Sequence, residues 1–490
     1  MLQGLNYLNV MITNTTTTTY VVTQESERLL QKLLAHEIRF AHWKSNGHLL
    51  KSLAGKTDLD LLVHPDDCAK YEACMTQLGY KKIISQAWSS YPLVEDWLGF
   101  DEATGNLLHL HTHYALVTGI QHVKHLYLPW LEQFFEHVIY DVATGWPIPT
   151  PALEAIILFI RMWAKMPPSE RLKSNPTIPV YLKEELAYLL SKTNSEELSQ
   201  LCKELQLRVP PDFGATVHSI MANQKSASIL GVSIYFYEQL KSYYRTPWSV
   251  SVLKSHLHKL RIRSSRASSK LSGPFKFGKT LVKGGKVIAF VGSDGSGKST
   301  LTRDVLNWLT YKIDAHYFYF GKNPFIFSYN KQIISKTDLL FKRDRFSQIL
   351  RKLIGNTYYP LLINRKIEML EHAKKMSRTG SVVICDRFPQ LDVKGMNDGP
   401  HLLPKDWCAD LEMKKFRQVR DYDADLVFRL LVSPEVACAR KPEHNTDMIK
   451  LKCENISKIS FGSSQVIDID ADQPYEQVLL RVKQVIWENL

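Results

Sequence analysis

The stretch GSDGSGKST, Gly292 to Thr300, constrains the fold of this 490-residue chain more than any other feature. It follows a short apolar run, Lys286 to Gly292, of the kind that forms a buried parallel strand. It leads into TLTRDVLNWLTYK, whose apolar residues recur at helical spacing. A strand, the pattern GxxxxGK[ST] and a helix in this order are typical of a Walker A phosphate-binding loop. The sequence therefore predicts an α/β domain built on a parallel sheet.

Each residue type in this loop has a physical role. The glycines permit backbone angles and a close approach that side chains would block, so that successive N–H groups point at the phosphates. Lys298 would place a cation on the transferred phosphates, and the Ser299 hydroxyl would ligate Mg²⁺. A glycine-serine turn that precedes a helix by chance is the alternative, which the complete match disfavours. The predicted phosphate contacts are Gly292, Ser293, Gly295, Ser296, Gly297, Lys298, Ser299 and Thr300.

Two further acids and an arginine complete the predicted site. Asp294 stands inside the loop, where its charge opposes the phosphate, so it needs a separate reason such as a hydrogen bond from the second substrate. The apolar strand SVVICDRF, Ser381 to Phe388, ends in Asp386 and Arg387. Asp386 would lie at the carboxyl end of a parallel strand and hold Mg²⁺ or its water. Arg387 would reach an acceptor phosphate with a bidentate fork, although a structural salt bridge is the alternative.

The block ADLVFRLLVSPEVACARKPEHN, Ala424 to Asn445, predicts a strand followed by a helix. The strand runs to Val432, and Ser433 caps a helix whose first turn starts with proline. Arg440 and Lys441 follow where this helix gives way to a charged segment. Such a segment is typical of a lid that closes over a transferring phosphoryl group, and a solvated charged loop is the alternative.

These blocks resemble the thymidylate kinase family over about residues 284–490. The resemblance implies a P-loop α/β domain of the nucleoside monophosphate kinase type, with helices on both faces of a parallel sheet. It implies ATP and Mg²⁺ as cofactors, dTMP as the first choice of acceptor, and Asp294 and Arg387 as acceptor-binding residues. The catalytic residues would be Lys298, Asp386, Arg387, Arg440 and Lys441, with Mg²⁺ on Ser299 and Asp386.

The chain departs from the family pattern at the positions that help to hold the thymine nucleotide. It has HYFYFGKNPF where the family has an Arg-Glu-Pro block, and PQLDVKGMNDG where the family continues Ser-Ser-x-Ala-Tyr-Gln after Asp-Arg. The second expectation is therefore a kinase of a sugar or glycan hydroxyl. A role in surface-polysaccharide synthesis is implied by resemblance alone, because chains that pair this kinase type with a front domain of this kind are similar to proteins from surface-polysaccharide gene clusters. A third, non-catalytic expectation is an ATP-binding scaffold whose nucleotide state switches its conformation.

The front of the chain carries a second candidate site. Asp58 and Asp60 are two apart on a predicted strand, so both carboxylates point to one face and could hold a divalent metal for nucleotidyl transfer. Together with His109 and His111 on a later strand, they resemble the nucleotidyltransferase superfamily, with a histidine replacing the third carboxylate. The alternatives are a degenerate domain that binds or positions substrate and a coincidence in an unrelated fold. Zinc on the alternating histidines is conceivable, but half-exposed strand histidines are the simpler account.

The net charge of +13 is concentrated in one basic belt, residues 241–286, which holds twelve Lys and Arg and no Asp or Glu. Its apolar residues fall at helical spacing among basic ones, which predicts an amphipathic helix. This helix would dock on the helical middle region, lie on an anionic membrane surface or, least expected, bind nucleic acid. The apolar residues are Val250, Leu253, Leu257 and Leu260, and the basic ones are Lys254, Lys259, Arg261 and Arg263.

Composition and patterning divide the chain into five parts. We expect a disordered N-terminus (1–22), a nucleotidyltransferase-like α+β domain (23–148), a helical region (149–245), a basic linker (246–283) and the kinase-like domain (284–490). The longest apolar runs are too short to span a bilayer, and the N-terminus lacks the basic start of a secretory signal. The scattered cysteines are typical of free thiols in a reducing compartment. We therefore expect a cytoplasmic protein, peripheral to the inner face of the membrane if the basic belt binds there, with a homodimer left open.

Overall fold

The computed structural model describes residues 20–87, 89–223, 225–272, 278–321, 345–393 and 398–490. These residues form two compact units, with the boundary between residues 275 and 276. Of the N-terminus expected to be disordered, only residues 20–22 lie within the described part. No described helix is both long enough and apolar enough to cross a membrane.

The first unit begins with an α/β arrangement. Five of its strands lie side by side in the order β1-β2-β5-β4-β3, and β2 and β5 are parallel whereas the other neighbours are antiparallel. These strands are β1 (Phe40–His42), β2 (Leu59–Val63), β3 (Lys81–Ile84), β4 (Val94–Phe100) and β5 (Leu107–His113). Two small antiparallel pairs follow, β6 (Val117–Thr118) with β7 (Leu126–Tyr127) and β8 (Val138–Tyr140) with β9 (Pro147–Pro149). The helices among these strands are α1 (Gln24–Ala35), α2 (Leu49–Leu53), α3 (Cys68–Gln77) and α4 (Leu131–Glu136).

The rest of the first unit is helical, as the sequence periodicity predicts. Helix α5 (Pro151–Lys165) starts at a proline, and twelve of its fifteen residues are buried, as in a helix within a core. Its buried residues share one hydrophobic cluster with Trp43 and Leu62, so the helices and the sheet of this unit have a common core. The helices are α5 (Pro151–Lys165), α6 (Pro168–Arg171), α7 (Val180–Ser191), α8 (Ser195–Glu204), α9 (Phe213–Asn223), α10 (Ser226–Gln239) and α11 (Trp248–Ser272).

Helix α11 contains most of the basic belt. Residues 264–272, the most linker-like stretch by composition, continue this helix instead of breaking it. Ser251 and Ser255 are buried, whereas Leu253 and Leu257 are 60% and 56% exposed. The apolar stripe of α11 therefore faces away from the side on which the helix packs.

The second unit is built on a five-stranded parallel sheet in the order β12-β13-β11-β14-β15. The prediction of a parallel sheet with helices is confirmed. The strands of this unit are β10 (Thr280–Leu281), β11 (Val287–Gly292), β12 (Ala315–Tyr319), β13 (Val382–Asp386), β14 (Leu426–Leu431) and β15 (Gln465–Asp470). The helices are α12 (Lys298–Thr310), α13 (Arg345–Arg378), α14 (Ala409–Gln418), α15 (Pro434–Arg440), α16 (Thr446–Ile456) and α17 (Tyr475–Asn489).

The central strands of this sheet are buried because they are covered on both faces. All six residues of β11 are buried, and Phe290 stacks on Phe428 of β14 with ring centroids 5.0 Å apart. Burying two aromatic side chains against each other stabilises the sheet by area and by ring geometry. The strand that leads into the phosphate-binding loop is therefore fixed by the core below it.

We predict that Phe290→Ala lowers the free energy of unfolding of the second unit by about 3–5 kcal/mol, because it leaves a cavity beside Phe428. Urea denaturation followed by circular dichroism measures this change. Leu411→Ala, on an exposed face of α14 (Leu411 is 46% exposed), is the matched control and should change it by less than about 1 kcal/mol. Equal losses in the two variants would contradict the account of this core.

Candidate functional site

The parallel register of the second unit brings the predicted site residues to one edge of the sheet. Phe290 of β11 is opposite Asp386 of β13, and Tyr319 of β12 is opposite the same aspartate. The phosphate-binding loop leaves β11 two residues later and enters helix α12. Asp386 therefore lies beside the start of α12, at the carboxyl ends of the strands where α/β sheets bind ligands.

The loop has the backbone shape that its glycines predict. Gly295 and Gly297 have φ angles of 85° and 84°, which disfavour residues with a side chain. A Cβ atom on Gly295 would also lie 2.6 Å from the carbonyl oxygen of Ala437, on helix α15. Glycine at 295 is therefore required both by the backbone angle and by the close approach of α15.

Lys298 is enclosed by this loop and is only 6% exposed. Its Nζ donates a hydrogen bond to the carbonyl oxygen of Ser293 at 2.6 Å. Burial, and next the positive charge of Arg387, lower the pKa of Lys298 to about 8, while nearby carboxylates act in the other direction. A buried ammonium held among backbone dipoles is a suitable partner for phosphate oxygens.

The side chain of Asp386, at the end of strand β13, is hydrogen-bonded to Ser299 of the phosphate-binding loop. Its Oδ2 accepts hydrogen bonds from the Ser299 hydroxyl at 3.1 Å and from the Tyr317 hydroxyl at 2.9 Å. Its Oδ1 is buried and has no hydrogen-bond partner among the described residues. A buried carboxylate oxygen next to a serine hydroxyl fits the hard oxygen ligands that Mg²⁺ prefers.

Asp294 is held between two cations. Lys452 Nζ contacts its Oδ2 at 2.5 Å, and Arg387 Nη2 contacts its Oδ1 at 3.3 Å. Burial acts to raise the pKa of Asp294, but the hydrogen bond and charge of Lys452, with smaller effects from Lys298 and Arg387, hold it at about 2. The carboxylate inside the phosphate-binding loop is thus ionised and neutralised by neighbours from other elements.

Arg387 is placed by an unusual backbone conformation. Its φ is 70°, in the left-handed region, and its N–H donates to the carbonyl oxygen of Phe290 at 2.9 Å. A non-glycine residue in this region is strained, and such strain concentrates at functional sites. This turn of the backbone ends the strand and directs the guanidinium toward Asp294.

The predicted lid residues differ in their surroundings. The Ser433 hydroxyl oxygen accepts a hydrogen bond from Val436 N–H, so Ser433 caps α15 as predicted. Arg440 Nη1 donates to the carbonyl oxygens of Gly295 at 3.4 Å and Ala471 at 3.1 Å, so it touches the phosphate-binding loop. Lys441 is exposed and pairs with Glu443 at 3.5 Å. The structure therefore brings Arg440, but not Lys441, to the loop.

Two functional candidates were absent from the sequence analysis. Lys452 of helix α16 contacts Asp294, which lies 158 residues away along the chain. Tyr317 of strand β12 contacts Asp386, which lies 69 residues away. Neither residue belongs to a recognisable motif, and the alternation of HYFYF gives only a strand. An unexplained acid inside a phosphate-binding loop was the one signal that a basic partner should exist.

The candidate site of the first unit is organised around histidines. Asp58 immediately precedes β2 and contacts His109 Nδ1 at 2.8 Å. Asp60 Oδ1 accepts from Lys44 Nζ at 2.6 Å and contacts His111 Nδ1 at 3.2 Å. The two aspartates therefore have different histidine partners from the neighbouring strand β5.

The side chains that could coordinate a metal ion in the first unit are one aspartate and two histidines. Ligand atoms of Asp60, His111 and His113 lie within 4.8 Å of one another, whereas Asp58 is not part of the group. Burial acts to raise the pKa of Asp60, but Lys44 and the two histidines hold it well below its usual range. Since Lys44 already supplies a cation to the carboxylate, this set does not fit a two-carboxylate magnesium site. Metal binding by Asp58 and Asp60 stays a prediction.

No protein-family model matches the chain. The uncharacterized ATP-binding protein YghR of Escherichia coli K12 is 26% identical over 220 residues, which cover 41% of this chain and 86% of YghR. The related protein YghS of the same organism is 28% identical over 215 residues, which cover 40% of this chain and 89% of YghS. The thymidylate kinase of Lactobacillus helveticus is 25% identical over 239 residues, which cover 42% of this chain and 97% of that enzyme.

These relatives support an ATP-binding, kinase-like P-loop domain in this chain. A solved deoxyadenosine kinase from M. mycoides matches 41% of this chain and 98% of its own, with 16% identity and a TM-score of 0.27. The relatives do not bear on the nucleotidyltransferase resemblance of the first unit, which stays a prediction.

We predict that Lys452→Met weakens ATP binding roughly five- to tenfold, because it leaves the charge of Asp294 uncompensated beside the phosphates. The double variant with Asp294→Asn should recover wild-type affinity to within about twofold. Isothermal titration calorimetry measures both affinities. Lys450→Met, which removes an exposed lysine from the same helix, is the control. If Lys452→Met and Lys450→Met bind ATP alike, the charge-balance account is wrong.

Proposed function

We propose that the second unit transfers the γ-phosphoryl group of ATP to a nucleoside monophosphate. The observation that carries this proposal is the junction of Ser299 with Asp386, whose second carboxylate oxygen is buried and has no described hydrogen-bond partner. Lys298 lies in the same loop, and Arg387 follows Asp386 directly. Donor, metal and acceptor functions are thus available within one edge of the sheet.

The donor side of the reaction would depend on positioning and charge. The backbone N–H groups of the loop and the N-terminus of helix α12 would surround the β- and γ-phosphates. Lys298 would exchange its contact with the Ser293 carbonyl for phosphate oxygens, and Arg440 lies close enough to the loop to support the same charge. Such contacts accelerate phosphoryl transfer by stabilising charge that spreads over the γ-phosphoryl oxygens.

Ser299 and Asp386 are the residues that would hold Mg²⁺, which supplies charge neutralisation to the β- and γ-phosphates when bound. Tyr317 would keep the Asp386 carboxylate in place through its hydrogen bond to Oδ2. Burial raises the pKa of Tyr317, and the charge of Asp386 adds to this effect, so its hydroxyl remains a donor at neutral pH.

The acceptor side favours a phosphate over a hydroxyl. A hydroxyl acceptor must lose a proton to a base, whereas an oxygen of a phosphate monoester is already anionic. Asp294 would be a poor base, because its pKa is about 2 and both of its oxygens contact cations. Asp386 is engaged by Ser299 and Tyr317. Arg387, in contrast, offers a guanidinium that suits an acceptor phosphate.

The choice of dTMP among nucleoside monophosphates rests on the family resemblance. The Lactobacillus thymidylate kinases match over more than nine-tenths of their own length. The segments that depart from the family pattern extend into residues 322–325 and 394–397, which lie outside the described part of the chain. A sugar or glycan hydroxyl is therefore kept as an outcome of the test.

We predict that γ-labelled ATP with Mg²⁺ transfers its label to a nucleoside monophosphate in a panel that also contains free sugars and glycan oligomers. Lys298→Ala and Asp386→Asn should each lower the turnover by at least roughly 10²-fold, since each removes a charge that stabilises the transferred group. Asp421→Asn, at an exposed aspartate outside the site, should have wild-type turnover.

Each outcome of this assay is decisive. Transfer only to a sugar or glycan would overturn the nucleoside monophosphate acceptor while keeping the kinase. Turnover that is unchanged in Asp386→Asn, or no transfer to any acceptor by a chain that binds ATP, would favour the scaffold and contradict the proposed function.

A further inference from the structure

The first unit contains a cavity of about 620 Å³ that the kinase chemistry of the second unit does not use. It lies between helix α5, the turn after β1 and the segment that runs from α6 into α7. Its volume is within the range of sites that hold small organic ligands. Among the residues that line it are Ser45, His48, Arg161, Lys165, Tyr181 and Glu185.

Arg161 is the most unusual residue of this cavity. Only 7% of it is exposed, and its Nη2 donates to the Ser45 hydroxyl at 3.3 Å. Its Nε and Nη1 are buried without a hydrogen-bond partner among the described residues. Buried arginines are normally paired with carboxylates, because a buried charge without a counter-ion is unfavourable. Two donor atoms of this guanidinium therefore have no acceptor among the described residues.

Other cations surround Arg161. Lys165 lies one helical turn further on the same face of α5 and also lines the cavity. Lys165 is exposed, and the charge of Arg161 is the largest of the effects that lower its pKa. Lys44 pairs with Asp60 at 2.6 Å. Arg161 and Lys165 thus place two basic side chains on the side of the cavity formed by α5.

The segment from α6 into α7 differs in chemistry. It contributes apolar groups to the lining, among them Ile178, Val180 and Leu182. Glu185 also lines the cavity, and its buried Oε1 has no hydrogen-bond partner among the described residues. Glu170 is engaged by Lys173 and Thr177, so it does not neutralise Arg161. A ligand that fills the cavity would meet two basic side chains, apolar groups and the carboxylates of Glu170 and Glu185.

We propose that this cavity binds an organic phosphate whose phosphate group contacts Arg161 and Lys165 and whose hydroxyl group donates to Glu185. Nη1 of Arg161 and Nζ of Lys165 would each donate to one oxygen of the phosphate. The apolar groups would cover the rest of the ligand, which is a sugar or a nucleoside. This site is separate from the proposed kinase site and does not depend on it.

The test is calorimetric titration of the full chain carrying Lys298→Ala, so that the phosphate-binding loop is disabled. The probes are ribose 5-phosphate, glucose 1-phosphate, uridine 5′-monophosphate and inorganic phosphate. We predict that at least one organic probe binds at least tenfold more tightly than inorganic phosphate. Adding Arg161→Met should weaken it by at least roughly tenfold, whereas Lys203→Met, at an exposed lysine of the same unit, should not.

A second readout separates a binding role of Arg161 from a structural one. If its charge serves a ligand, Arg161→Met should keep or raise the melting temperature of the ligand-free chain, because it removes an uncompensated buried charge. A lowered melting temperature with unchanged ligand affinity would overturn the proposal. So would the absence of binding by every organic probe, or equal affinities for organic and inorganic phosphate.

The apolar stripe of helix α11 is exposed and supports a second, independent proposal. Leu253, Leu257 and Leu260 are 60%, 56% and 57% exposed, although they recur at helical spacing. Lys254 and Arg261 are exposed three or four residues from Leu257, so they lie beside it on the helix surface. Exposed leucines next to lysine and arginine are typical of helices that lie in a membrane interface.

We propose that this stripe binds an anionic lipid surface. Charge complementarity supports a lipid occupant, because residues 241–286 contain no acidic side chain. A partner protein or a second copy of the chain would be the other occupants of such a stripe.

Flotation of the full chain with vesicles tests this proposal. We predict binding to phosphatidylcholine vesicles that contain 30% phosphatidylglycerol and at least fivefold weaker binding to phosphatidylcholine alone. The double variant Leu253→Ser and Leu257→Ser should lose binding, whereas Leu172→Ser, at an 86% exposed leucine elsewhere, should not. Equal flotation of both variants, or a concentration-dependent dimer in light scattering that the double variant abolishes without any vesicle binding, would overturn it.

Discussion

The parallel pairing of β11 with β13 is the constraint on which the candidate kinase site depends. It places Phe290 opposite Asp386, and the loop that follows β11 then reaches Asp386 through the Ser299 hydroxyl at 3.1 Å. The core on both sides of the strands fixes this register, because a slip by one residue would exchange the side chains that pack on the two faces. The phosphate-binding loop, Asp386 and Arg387 thus owe their positions to a sheet that is buried on both faces.

Charge balance is the second condition for the site. A phosphate-binding loop that contains Asp294 would repel its ligand unless that charge were neutralised. Lys452 and Arg387 provide this neutralisation from helix α16 and from the end of β13. Their contacts also hold the pKa of Asp294 at about 2, which makes its carboxylate a weak base. Under the proposed function, these ion pairs would therefore favour an acceptor that is already anionic.

Sequence reasoning succeeded where a feature is local. The strand Val287–Gly292, the helix after the loop and the Ser433 cap follow from short-range patterns of apolar residues, glycine and proline. It failed for contacts between distant segments, because no pattern relates Lys452 to Asp294 or Arg161 to Ser45. Charge alone predicted Arg440 and Lys441 equally as lid residues. The fold brings only Arg440 to the phosphate-binding loop. In the first unit, the sequence placed Asp60 on a strand beside histidines, but Lys44 as its ion-pair partner required the fold.

The most direct measurement is a crystal structure of the full chain with Mg²⁺ and a non-hydrolysable ATP analogue. The account predicts density for the β- and γ-phosphates within the loop, with the metal bound by Ser299 Oγ and reached by Asp386 Oδ1, directly or through one water. Phosphates placed outside the loop, or a metal with no contact to Asp386, would contradict the central claim that this carboxylate completes the site.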